Sequence, residues 1–92
     1  MNARKMMRLC DASIRQLEDL EALLSYLSSE HGAARFVYES LAEVKELRHV
    51  AKLETQLNVT TEQAAHIQRI LSQTKHFMRM VPDSARKELD GG

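Results

Sequence analysis

A chain of 92 residues with 13 basic and 13 acidic side chains, four histidines and no formal net charge is one domain at most. The charge balance argues against nucleic acid held by bulk electrostatics and against a polybasic membrane anchor. One cysteine, Cys10, excludes an internal disulfide and fits a reducing compartment, and no apolar run nears the ~18 residues of a membrane span.

The first helix is expected from about residue 4 to 29. Met6, Cys10, Ser13, Leu17, Leu20, Leu24 and Leu27 alternate in steps of four and three, with Met7, Ile14 and Leu23 widening the stripe. Such a 3.5-residue repeat marks a helix that lies along other helices. Its start carries Arg4, Lys5 and Arg8 and no acid, a weak likeness to a mitochondrial presequence, although a helix with a basic start is the simpler reading. Ser28-Ser29-Glu30-His31-Gly32 ends the pattern, and Gly32 suits a left-handed C′ position.

The second helix is expected over 33–57. Val37, Leu41, Val44 and Leu47 face one way, whereas Leu47, Val50, Leu53 and Leu57 step by threes. Each such step turns the stripe back by about 60°. The apolar face therefore rotates, as on a helix held between two or more neighbours. Asn58-Val59-Thr60 is a run of mediocre helix formers, and Thr60 to Gln63 makes a capping-box candidate. These residues favour a break over one continuous helix. The same Asn-Val-Thr is formally a glycosylation sequon, read as chance because no secretory signal is visible.

The third helix is expected over 61–80. Ala64, Ile67, Leu71, Thr74, Met78 and Val81 keep a 3-4-3-4-3 spacing, flanked by Ile70 and Phe77. Pro82 stops it, since the residue before a proline avoids the helical region. Asp83 or Ser84 can cap one short turn through Leu89, and Asp90-Gly91-Gly92 reads as a frayed tail. Three helices joined by short links should lie antiparallel, in a bundle or a short coiled-coil assembly. Aromatics are scarce (Tyr26, Phe36, Tyr38, Phe77), so the core must come from aliphatic residues and methionine. A core of this kind is marginal alone and gains from partner surface.

Residues suited to chemistry are few. His31, His49, His66 and His76 form no HxxxH pair and lack a cysteine or paired acid at ligand spacing. Cys10 falls on the apolar stripe and reads as a small core residue. Ser13 and Thr74 occupy heptad positions, either bonded back to their own helix or placed where a crossing needs small side chains. Arg69, Lys75 and Arg79 form a modest basic face that reads as solvated. No catalytic residue, cofactor or metal is expected. Two other classes stay in view. A small helical DNA-binding regulator would use Arg69 and Arg79. A small all-α enzyme of chorismate-mutase type would need several cations converging in an enclosed pocket, and Ile14 to Leu20 faintly resembles the first helix of such enzymes.

Leu9-Cys10, the break at Gly32, Leu53-Glu54 and Val81-Pro82 together resemble the N-terminal coiled-coil region of the first subunit of the spindle and kinetochore-associated complex. That resemblance covers nearly the whole chain. It implies a subunit that assembles with two other helical subunits and supports microtubule attachment, without a catalytic residue. Met80-Val81-Pro82-Asp83 also looks a little similar to tubulin-binding cofactor A. The expected function is thus a non-enzymatic scaffold that packs helix faces against other helical subunits or a second copy of itself. The interface is expected on Leu17, Leu20, Leu24, Leu27, Ile67, Ile70, Leu71, Thr74, Phe77, Met78 and Val81. The compartment expected is cytoplasm or nucleus, with mitochondria the alternative.

Overall fold

The computed structural model describes residues 3–53 and 61–91, and among them every regular element is helical. There are four α-helices: α1 (Ala3–Ala22), α2 (Ala33–Leu53), α3 (Thr61–Arg79) and α4 (Asp83–Gly91). Two single turns of 3-10 helix, Leu24–Tyr26 and Ser29–His31, join α1 to α2. The all-helical class follows from the periodicities, with no strand among the described residues.

The first helix is shorter than its apolar spacing suggests. Regular α-helix stops at Ala22 rather than near residue 29. Leu23 leaves helical geometry (φ −106°, ψ 7°), and the chain tightens through i to i+3 bonds such as Tyr26 N to Leu23 O at 3.1 Å. The cause is tertiary. Leu23 is buried against Val81 and Ala85, in a small cluster that Leu27 and Met78 flank. Gly32 takes the left-handed conformation expected of it (φ 67°, ψ 19°), and its carbonyl accepts the first helical bond of α2, from Phe36 N at 3.0 Å. It closes the second 3-10 turn and opens α2, instead of ending an α-helix directly.

The main core joins α1, α2 and α3. Met6, Cys10, Ser13, Leu17 and Leu20 of α1 are all buried and keep the 4-3-4-3 spacing. Their partners on α2 are Ala33, Val37, Ser40, Leu41, Val44 and Ala51, and on α3 Ile67, Ile70, Thr74 and Phe77. On α2 the line Ala33, Val37, Ser40, Val44, Leu47, Ala51 is itself a heptad, with Leu47 half-buried and the rest buried. Three of its six members are Ala or Ser, which let two helices approach closely. The first turn of α1 lies against the last turn of α2, where Ala3 and Arg4 share a surface recess with Ala51 and Lys52. Phe36 near the start of α2 meets Phe77 near the end of α3, with ring centroids 5.4 Å apart. Most helix contact is between α1 and α2, and next between α1 and α3; α2 and α3 barely touch.

Two expectations are corrected at the chain's end. The short turn after Pro82 is a nine-residue helix, with Ala85 buried against Leu23. Helix continues to Gly91, through residues read as a tail. The Pro82 carbonyl accepts from Ala85 N at 3.1 Å and Arg86 N at 3.3 Å, and Arg86 pairs with Asp83. Pro82 therefore ends one helix and begins the next, because proline suits the turn just before a helix interior. The expected break at Asn58-Val59-Thr60, and helix two beyond Leu53, lie outside the described residues, which resume in helix at Thr61.

The two buried hydroxyls differ. Thr74 Oγ1 donates to the Ile70 carbonyl at 2.7 Å, one turn back in the same helix. Ser13 Oγ is buried with no hydrogen-bond partner among the described residues. Ser13→Ala removes that unpaired group and gains helix propensity, and should raise stability by about 1 kcal/mol. Leu17→Ala, at the centre of α1, should lower it by about 2–5 kcal/mol, whereas Leu53→Ala, at 68% exposure, should stay within about 0.5 kcal/mol. Urea unfolding followed by circular dichroism measures all three.

Candidate functional site, a groove between two helices

Because α2 and α3 both pack on α1 but hardly on each other, a cleft of about 640 Å³ opens between them. Leu47 and Val50 of α2, both half-buried, form its apolar floor. Glu43 and Glu46 of α2 and Glu62, Gln63 and His66 of α3 supply the rest of its lining. His66 Nε2 lies 2.6 Å from Glu43 Oε2, so one polar contact spans the two helices. The helical repeat accounts for this composition. The buried heptad of α2 leads through Leu47 to Ala51, while Leu47, Val50 and Leu53 step by threes and turn away from α1. Leu53, the last described residue of that stripe, is 68% exposed.

A second recess, of about 460 Å³, lies between the ends of α1 and α2. Arg4, Met7, Arg8 and Asp11 meet Ala51 and Lys52 there, and Asp11 pairs with Arg48 across the two helices. The basic start of α1 thus sits beside a further cation from α2. A third, of about 260 Å³, has Tyr26 of the first 3-10 turn and Leu89 of α4 on its edge.

The residues expected to face a partner are mostly in the chain's own core. Leu17, Leu20, Ile67 and Thr74 are fully buried, and Ile70, Phe77 and Val81 nearly so. Leu24, Leu27 and Met78 are half-buried against the core clusters, and Leu71 is half-buried on α3. From the sequence, Leu47 and Val50 stand in the step-of-three stripe, Glu43 and Glu46 on an exposed face or at partner-choosing e and g positions, and Gln63 in the capping box; Glu62 and His66 are not assigned to a groove. Gln68, Arg69, Gln73, Lys75, His76 and Arg79 of α3 are exposed. Of the histidines, His66 faces Glu43, His76 lies beside the Phe77 ring, and His31 and His49 are exposed. Among the described residues no group of three or more His, Cys, Asp or Glu side chains is placed to hold a metal ion, and no helix is long and apolar enough to cross a membrane.

No protein-family model matches this chain, and no curated protein or solved structure does either. The groove offers apolar contact edged with carboxylates, and it holds no lysine or arginine among its lining residues.

Cys10 belongs to the core, with no exposed surface. Burial pushes its thiol above the ordinary range, and Asp11 adds to the rise, partly offset by Arg48. The fold thus favours the protonated thiol. That contribution is complete below the unfolded-state value of ~8.5 and is lost as pH rises from there through the raised folded value. Stability should therefore fall across that alkaline window, and Cys10→Ala should flatten the fall; urea midpoints measured from neutral to alkaline pH check both.

Proposed function

We propose that this chain is a non-enzymatic assembly module whose three long helices lie antiparallel in sequence order and present apolar helix surface to other helical subunits or to a second copy. The arrangement is supported by end-to-end contacts: Ala3 and Arg4 beside Ala51 and Lys52, Phe36 beside Phe77, and Leu23 against Val81. The observation that carries the function is an apolar stripe of α2 that turns out of the chain's own core. It begins on the groove floor at Leu47 and Val50 and ends at the exposed Leu53. Tyr38 on the same helix is 60% exposed as well. Scattered exposed apolar residues are ordinary, but a continuous stripe leading out of a groove is the form a partner surface takes.

The interface is proposed on this stripe rather than on the heptads of α1 and α3, whose larger members fill the core. The resemblance to the kinetochore-complex coiled-coil region supplies a context for such a module, a cytoskeletal assembly of several helical subunits. Light scattering and circular dichroism on the isolated chain at micromolar concentration should show oligomers, or a loosely folded chain whose helicity rises with concentration. A compact, stable monomer that no helical partner stabilises would overturn the reading.

A further inference from the structure

The geometry points to a specific occupant for the groove: we propose that it receives one amphipathic helix of a partner protein whose apolar ridge is bordered by lysine or arginine. This rests on the assembly reading and names the site and the chemistry of the partner. The floor is apolar, through Leu47 and Val50, and continues to exposed Leu53. A helix laid into a groove presents an apolar ridge to such a floor and polar edges to its walls. Here the walls carry Glu46 on one side and Glu62 on the other, with Glu43 engaged by His66, and no lysine or arginine is among the described lining residues. Complementary charge at the flanking positions selects the partner and its register, as it does at the e and g positions of a coiled coil.

A second copy of this chain is a poor source of that helix. The basic start of α1 carries Met6 and Cys10, which are buried in its own core. The cations of α3 share their helix with Ile67 and Phe77, buried likewise. Neither helix has a free apolar ridge to insert, and α4 has only nine residues. The α2 helix of a second copy does carry an open stripe, but Glu43 and Glu46 lie beside it, like in charge to the groove walls, so the occupant proposed is another protein.

The test uses the whole 15N-labelled chain and two synthetic helical peptides with leucine in heptad spacing. One carries lysine at the flanking positions, and its twin carries glutamate there. The lysine peptide should bind and shift the amide signals of Leu47, Val50, Glu62 and His66. The double variant Glu46→Lys, Glu62→Lys alters two exposed side chains and should keep its circular dichroism spectrum. It should lose at least roughly tenfold in affinity for the lysine peptide and gain affinity for the glutamate twin. Equal binding of both peptides, binding of neither, or signal changes confined to another face would overturn the proposal. So would a homodimer whose interface maps to the groove. Association that maps elsewhere, for example to Tyr38, removes the groove and keeps the assembly reading, whereas a compact monomer stabilised by neither peptide removes both.

Discussion

The close packing of α1 against α2 is the constraint on which the other contacts depend. Met6, Cys10, Ser13, Leu17 and Leu20 keep a single line along α1, and α2 answers with a line half made of Ala and Ser. Larger side chains at Ala33, Ser40 or Ala51 would push the two helices apart, and overpacking a filled core costs roughly 1–3 kcal/mol. With α2 drawn in close, α3 finds its main surface on α1, and it meets α2 at Phe36–Phe77 and His66–Glu43. The groove is the outcome. It exists because α1 is the shared neighbour and because α2 has its small residues turned toward α1.

Much of this was legible in the sequence, and the parts that were not share a cause. The α1 stripe could be read from its 4-3 spacing, whereas on α3 the flankers Ile70 and Phe77 are buried and Ala64, Leu71 and Met78 of the expected heptad are only half-buried. On α2 the face of Val37, Leu41 and Val44 could be read and is buried, whereas Ala33, Ser40 and Ala51 carry almost no hydropathic signal and could not. Val50 and Leu53 of α2 turn out of the main core, toward the groove and solvent. The end of α1 at Ala22 was hidden for a different reason: Leu20, Leu23, Leu24 and Leu27 fit an α-helix and a 3-10 turn about equally, and only the burial of Leu23 beneath Val81 and Ala85 decides between them. Pro82 was legible as a stop and not as a start, because a start depends on what the following helix packs against.

The candidate site shows the same asymmetry. The most apolar residues of a small chain are claimed first by its own core, so a list of strong heptad positions locates the core before it locates any partner surface. Ile67, Thr74 and Phe77 illustrate this, all buried within the chain. What lines the groove is a residue set of mixed character: two half-buried aliphatics, three carboxylates, a glutamine and a histidine, brought together from positions 43–50 and 62–66. Sequence spacing relates the α2 members to one another, but only the fold brings Glu62 and His66 alongside them.

The division of the apolar side chains into two clusters has a thermodynamic consequence. Leu23, Val81 and Ala85 form a unit apart from the main core, bridged to it by half-buried Leu27 and Met78. Detaching α4 breaks that unit and leaves the α1–α2 seam whole. Each large buried side chain contributes roughly 1.5–3 kcal/mol, so the cost of that opening is a fraction of the global unfolding free energy. Native-state hydrogen exchange in such a molecule is layered, with the amides of α4 and the end of α3 exchanging through a cheaper opening than those of central α1. The molecule thus has a larger apolar unit and a smaller one, and the smaller sits at Leu23, where regular α1 gives way.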